Sequence, residues 1–146
     1  MKSYALDLWG RAVETLQVAE RLVGFSDDNA ASRAYYAAFY AVSALFALEE
    51  RTFRKHTQLE AAVHRDLIKS GRWPPERGKD FSRLATLRER GDYGGDRHVS
   101  HEEAMEATNR AGRIVEQVRL AYPETFKPTP APDLVDGFED EEEKGE

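Results

Sequence analysis

Apolar residues recur at helical spacing in five stretches of the chain, and turn-forming residues separate them. The first stretch runs roughly from Tyr4 to Val23, and Gly24-Phe25-Ser26-Asp27-Asp28 ends it and offers a cap for the next helix. The second stretch runs roughly from Asn29 to Arg51, is rich in alanine and carries aromatic residues on more than one face. A helix that is apolar on most sides is buried on most sides, so we expect the second helix at the centre of the fold.

Two further helices are predicted in the middle of the chain. The third opens at Thr57, where Glu60 three residues later completes a capping box, and it stops at Ser70-Gly71. The fourth starts at Pro74-Pro75, because proline is tolerated in a first helical turn, and it runs to about Arg90, where the next residue, a glycine, breaks it.

A fifth helix follows, with Ser100 and Glu103 as its capping box and Pro123 at its end. Its buried stripe is predicted to comprise Ala104, Ala107, Ala111, Ile114, Val118 and Tyr122. No stretch alternates between apolar and polar residues as a strand does. The pattern therefore predicts an all-α, up-and-down bundle of four to five helices over residues 1–122.

The composition changes after Tyr122. Residues 123–146 hold nine acids and two bases, and three prolines favour an extended linker ahead of an acidic run that is predicted to be disordered. Residues 51–98, in contrast, hold twelve bases and seven acids. The chain is thus polarised, and its basic middle suits either a solvated surface or a polyanion such as RNA.

Other features of the composition restrict the setting of the protein. The chain has no cysteine and no apolar run of the roughly 18 residues that a membrane span needs. We therefore expect a soluble, cytoplasmic protein without membrane contact. His98 and His101 span a helix start without an obvious third ligand, and no glycine-rich phosphate loop is present, so neither a metal site nor a cofactor is predicted.

Arg88 is the strongest candidate for chemistry. It falls seven residues after Phe81 and four after Leu84, so one helical face carries all three residues and should point inward. A permanently charged guanidinium on an apolar face needs a partner or an anion. Asp92 and Tyr93 follow about one turn later, and Gly94-Gly95 indicates a helix stop. This group of residues can form a site for a phosphate-bearing ligand.

Two sequence motifs resemble a known family. Residues 32–40 read Ser-Arg-Ala-Tyr-Tyr-Ala-Ala-Phe-Tyr, and later come Arg88-x-x-x-Asp92-Tyr93-Gly94, with Lys55-His56-Thr57 between them. Together they resemble the HEPN superfamily of small helical domains, in particular its short, stand-alone branch. The resemblance implies a homodimer, and it implies a nucleotidyltransferase-type antitoxin as partner. It also implies a metal-independent endoribonuclease activity on RNA in a toxin–antitoxin pair.

The chain departs from the family signature at one position. The signature has an arginine followed, after four to six residues, by a histidine, whereas Arg88 is followed by Tyr93 at that spacing. Histidine moves protons near neutral pH, and a tyrosine with a pKa of about 10 is a poor base. In the catalytic interpretation Arg88 holds phosphate, Asp92 orients it or acts as base, and Tyr93 donates a hydrogen bond or accepts an adenylyl group. Enzymatic activity stays open at this point.

Four more residues are candidate ligand contacts. Arg33 shares a helix face with Tyr36 and Tyr40, and it is either a second cation of the cleft or an internal arginine paired with an acid such as Asp92. The tyrosines are core aromatics or base-stacking residues. His56 lies just before the predicted third helix and either binds phosphate or caps the helix. The Arg51-x4-His56 spacing is interpreted as a chance match.

A second class of function also stays open. In this alternative the protein is a non-catalytic, dimeric interaction module. The arginine-bearing and tyrosine-rich helices then build the dimer alone. The acidic tail regulates or recruits a partner, or covers the basic middle segment in competition with RNA.

Overall fold

The computed structural model describes residues 1–128, and the predicted helices are confirmed there. They are α1 (Lys2–Leu22), α2 (Asp27–Leu48), α3 (His56–Ala62), α4 (Pro75–Tyr93) and α5 (His101–Ala121), and a π-helical segment, Val63–Lys69, continues α3. Within this part of the chain no residue belongs to a strand. The predicted linker and acidic tail from residue 129 onward lie outside the described residues.

Helix α2 is the central element, as its sequence predicts. It contacts α1, α4 and α5, and 13 of its 22 residues are buried. Eight of those buried residues are alanines. Small side chains let neighbouring helices approach α2 closely from several directions, while its larger aromatic residues fill the remaining space.

The two predicted capping boxes have different outcomes. Ser100 and Glu103 form the predicted box at the start of α5, with each side chain bonded to the other residue's backbone N–H. The box predicted at Thr57 is wrong, because α3 begins at His56 and has no side-chain cap. Glu60 instead accepts a hydrogen bond from the Tyr35 hydroxyl of α2. A tertiary partner has replaced the local one.

The predicted break at Gly91 is also wrong, since α4 continues to Tyr93. A Cβ atom on Gly91 would lie 2.6 Å from the backbone oxygen of Asp28 at the start of α2. This glycine therefore permits a close approach between two helices and does not end one. The helix stops at Gly94-Gly95 as predicted, and Gly95 has a φ of 62°.

The packed part of the chain extends beyond Tyr122. Phe126 is fully buried, and its ring centroid lies 5.0 Å from that of Trp9 on α1. The Trp9 indole N–H also donates a hydrogen bond to the backbone oxygen of Lys127 at 3.1 Å. These contacts attach the segment after α5 to α1. Among the helices of residues 1–128, none combines the length and the apolar character that a bilayer crossing requires.

Candidate functional site: the arginine and tyrosine cluster of α2 and α4

Arg88 points inward from α4, as its position on the helix predicts. Its side chain is 20% exposed, and its guanidinium carbon lies 5.1 Å from the ring centroid of Tyr35, 5.6 Å from that of Tyr36 and 6.0 Å from that of Tyr93. The nearest carboxylate oxygen belongs to Asp92, 3.8 Å from Nη1. Aromatic rings therefore surround this cation, whereas many buried arginines are held by a close ion pair instead.

One nitrogen of Arg88 is left without a partner. Nη1 is buried and makes no hydrogen bond with any atom of residues 1–128. A buried donor without an acceptor costs free energy, and such a group in a native protein calls for an explanation such as a ligand. The geometry at Arg88 thus retains the capacity to bind an anion.

Tyr35 forms the buried part of this cluster. Its side chain is buried, and its hydroxyl donates a hydrogen bond to Glu60 Oε2 at 2.6 Å. Burial, followed by the hydrogen bond to Glu60, raises the pKa of Tyr35 well above the ordinary tyrosine value. The protonated hydroxyl therefore serves as the hydrogen-bond donor to Glu60.

His56 reaches the same cluster from the first turn of α3. Its ring centroid lies 4.5 Å from that of Phe39, 5.6 Å from that of Tyr36 and 6.3 Å from that of Tyr35. Arg88 touches the same two tyrosine rings. An imidazole thus shares two ring neighbours with the arginine, although the histidine of the family signature is absent from α4.

Two tyrosine rings of α2 form a row with an arginine at each end. The guanidinium carbon of Arg33 lies 4.9 Å from the Tyr36 ring, the Tyr36 and Tyr40 centroids are 6.2 Å apart, and Arg11 of α1 lies 5.9 Å from the Tyr40 ring. Both tyrosines are half-buried. The predicted alternative in which Arg33 pairs with Asp92 is wrong, since no carboxylate of residues 1–128 forms an ion pair with Arg33.

The last turn of α4 presents Asp92 and Tyr93. Tyr93 is 74% exposed, which makes its hydroxyl accessible, whereas the Tyr35 hydroxyl is buried. Asp92 is 26% exposed and faces Arg88. An acid, a phenol and a guanidinium therefore meet at this end of the helix, as the sequence predicts.

The predicted site residues thus form one connected cluster, with Tyr40 at its edge. Tyr40 also lines a separate pocket of about 270 Å³ between α1, α2 and the segment that follows α2. Sequence reasoning missed Glu60, Arg11 and the supporting role of Tyr35. The sequence predicts a helix cap for Glu60, and Arg11 carries no local signal because its contact with α2 is tertiary.

Two other arginine and histidine patterns do not join the cluster. Arg51 pairs with Asp66 at 2.9 Å and stacks on Phe46 and Phe53, so the Arg51-x4-His56 spacing does not form a site. His98 contacts Asp28 at 2.7 Å, with Nδ1 next to Oδ2. That carboxylate also accepts the backbone N–H of Val99, which ties the segment before α5 to the start of α2.

Comparison with known proteins assigns the chain to a family. A model of the HEPN domain matches residues 5–121, a range that spans all five helices and every residue of the cluster. The chain belongs to the HEPN family. The resemblance inferred from the two motifs is confirmed.

Two curated relatives of this HEPN protein are named as UPF0332 proteins. One, from Thermotoga maritima, is 38% identical over 95 residues, which are 64% of this chain and 72% of the relative. The other, from Gloeobacter violaceus, is 30% identical over 112 residues, which are 75% of this chain and 89% of the relative. Both names denote a family and state no activity.

Proposed function

We propose that this HEPN protein binds RNA or a nucleotide in the cleft of a homodimer and works with a nucleotidyltransferase-type partner. The observation that carries the proposal is the buried Nη1 of Arg88, which has no hydrogen-bond acceptor among residues 1–128. A phosphate oxygen is a fitting acceptor, because guanidinium groups bind phosphate strongly and keep their charge at all physiological pH values.

The aromatic row of α2 suits the remainder of such a ligand. Tyr36 and Tyr40 are half-buried and adjacent, and Arg33 and Arg11 flank them. Stacking of a base on an aromatic side chain contributes about 1–3 kcal/mol per base, and arginines add attraction for the backbone. A single strand laid along α2 would therefore find both kinds of contact within one row.

The catalytic form of the proposal is a metal-independent endoribonuclease. Arg88 would hold the scissile phosphate, and Asp92 would take the proton of the attacking 2′-hydroxyl. The imidazole of His56 is available to protonate the leaving 5′-oxygen, a role that the missing signature histidine would otherwise fill. Tyr93 would donate a hydrogen bond to a phosphate oxygen.

The exposed hydroxyl of Tyr93 suits a regulatory reaction with the partner. The Tyr93 oxygen would attack the α-phosphorus of a nucleoside triphosphate, the bond to pyrophosphate would break, and a base of the partner would take the phenol proton. The added nucleotide would then lie against Arg88 and fill the cleft.

Arginine substitutions test the function directly. Binding and cleavage of a fluorescein-labelled oligouridylate are measured for the wild type, for Arg88→Met and for a matched control, Arg65→Met. Arg65 is exposed and pairs with Asp66, so its loss should leave RNA binding unchanged. Arg88→Met should weaken binding at least about tenfold with its melting temperature retained, since methionine replaces much of the packing volume.

Two outcomes would overturn the proposal. Equal oligonucleotide binding by Arg88→Met and Arg65→Met would show that Arg88 takes no part in the interaction. Loss of folding in both Arg88→Met and Arg88→Lys would assign Arg88 a structural role. Sedimentation of the wild type would separately establish whether a dimer forms.

A further inference from the structure

We propose that α4 and α5 carry a second anion-binding site, for a phosphate group, built on Asp80 and three arginines. It is independent of the proposed function at Arg88. The arginines are Arg77 of α4 and Arg110 and Arg113 of α5. On α4, Asp80 faces α5, whereas Arg88 faces the tyrosines of α2.

The Asp80 carboxylate is the buried centre of this cluster. Its side chain is 3% exposed, and Oδ1 accepts hydrogen bonds from Arg110 Nη1 and Arg113 Nη2, both at 2.9 Å. Oδ2 accepts a third bond from Arg113 Nε at 3.2 Å and lies 3.0 Å from Arg77 Nε. A single carboxylate thus orients three guanidinium groups.

The charges around Asp80 do not balance. The cluster continues as a ladder of ion pairs along the seam between α4 and α5, in which Arg83 and Arg90 share Glu103 and Glu106 with Arg110. The whole ladder contains five guanidinium groups and three carboxylates. Glu103 pairs with Arg83 and Arg90, and Glu106 pairs with Arg83 and Arg110. Within residues 1–128, Arg77 and Arg113 have no carboxylate partner other than Asp80.

The surplus faces an open pocket. A cavity of about 300 Å³ is lined by Asp80, its three arginines, Lys79 and Glu76. Arg113 is 46% exposed, and its Nη1 makes no hydrogen bond within residues 1–128. Arg110 is 26% exposed, and its Nη2 likewise makes no hydrogen bond there. The lining of this cavity holds four bases and two acids, a formal charge of +2.

This arrangement suits a phosphate group for two reasons. The guanidinium groups are already oriented by a buried carboxylate, so little side-chain entropy is lost when an anion binds. Two neighbouring guanidinium groups can also bind the oxygens of one phosphate with several charge-assisted hydrogen bonds. Asp80 neutralises only one of the two guanidinium groups, Arg77 and Arg113, that have no other carboxylate partner within residues 1–128, so positive charge remains for an anion.

Arginine side-chain signals give a direct test. Inorganic phosphate is titrated into the full chain, with sodium chloride of matched ionic strength as the reference, and the Nε–Hε cross-peaks are followed by NMR. We expect saturable shifts at Arg113 that are absent at Arg119, which pairs with Glu116 on the same helix. Arg113→Gln should weaken phosphate binding at least about fivefold, and Arg119→Gln should not change it.

Glu76→Gln tests the site by removing a negative charge from the cavity lining, which should tighten phosphate binding. Glu76 is exposed and forms no ion pair within residues 1–128, so its neutralisation should leave the fold intact and tighten phosphate binding about twofold. The proposal is overturned if phosphate shifts Arg113 no more than chloride does. It is equally overturned if Glu76→Gln and Arg113→Gln both bind as the wild type does.

The source of the phosphate is decided by a second measurement. If the ligand is a nucleic-acid backbone, Arg113→Gln should remove about one phosphate contact. The slope of the logarithm of the oligouridylate binding constant against the logarithm of the salt concentration should then become less steep by roughly 0.7. If free phosphate is the ligand, that slope stays as in the wild type while the NMR effect remains. Arg88→Met should leave the Arg113 shifts intact, so failure of the proposed function and failure of this site are distinguishable.

Discussion

The guanidinium carbon of Arg88 lies 5.1 Å from the centroid of the Tyr35 ring, and the hydroxyl of the same tyrosine donates a hydrogen bond to Glu60. One aromatic side chain of the central helix therefore links a cation on α4 to an acid on α3. This side chain helps to hold the candidate site in place, because Glu60 receives its hydrogen bond from another helix and Arg88 has only Asp92, 3.8 Å away, as an ion-pair partner within residues 1–128.

Removal of the Tyr35 hydroxyl should destabilise the bundle. In Tyr35→Phe the part-buried Glu60 loses its hydrogen-bond donor, so we expect the free energy of unfolding to fall by about 1–2 kcal/mol. Tyr36→Phe is the matched control, since its hydroxyl makes no hydrogen bond in the described part of the chain, and it should change stability by less than about 0.5 kcal/mol. Urea unfolding measures both, and equal losses would contradict the role given to Glu60.

Asp80 should matter far more to stability than an exposed aspartate does. Asp80→Asn leaves three guanidinium groups without their buried counter-charge, and we expect a loss of about 3 kcal/mol in the free energy of unfolding. Asp7 pairs with Arg11 at 3.7 Å with both side chains more than 60% exposed, so Asp7→Asn should cost no more than about 0.5 kcal/mol. Similar losses for the two variants in chemical unfolding would contradict this assignment.

Two glycines inside helices should respond to alanine in opposite directions. Gly91→Ala places a Cβ 2.6 Å from the Asp28 backbone oxygen, so the helices must separate, at a cost of about 1–3 kcal/mol. A Cβ on Gly112 of α5 meets nothing within 4 Å, so Gly112→Ala should raise stability by about 0.5–1 kcal/mol through helix propensity. Thermal unfolding of the two variants gives the sign of each effect.

Glu103 should make stability depend on pH in the acid range. The backbone N–H of Ser100, and then the Arg90 guanidinium, lower the pKa of Glu103 to about 2. A carboxyl whose folded pKa is depressed stabilises the fold above its unfolded pKa of about 4.3, and that contribution is lost as the pH falls toward 2.

The matching variant is Glu103→Gln. It should be about 1 kcal/mol less stable than the wild type at pH 7, and the difference should shrink below pH 4.3 and approach zero near pH 2. Glu14→Gln, on an exposed position of α1, should follow the wild type throughout. A stability difference between Glu103→Gln and the wild type that stays constant from pH 7 to pH 2 would contradict the assignment.

The sequence alone determined the helices and the direction in which Arg88 points. Helical spacing of apolar residues, the Ser100 cap and the Gly94-Gly95 stop depend on neighbours within a few positions, so local reading was enough for them. The same holds for the central place of α2, since a helix that is apolar on most sides is stable only when other helices cover it.

Tertiary structure alone decided which side chains meet. Glu60 could cap its own helix or accept a hydrogen bond from a tyrosine of another helix. The packing of α3 on α2 decides for the tyrosine. Gly91 reads locally as a helix breaker, yet the approach of α4 to Asp28 makes it a spacer. His56 and Arg88 approach the same two tyrosine rings, and Asp80 binds the arginines of α5. Both arrangements depend on contacts between residues far apart in the chain, which periodicity does not encode.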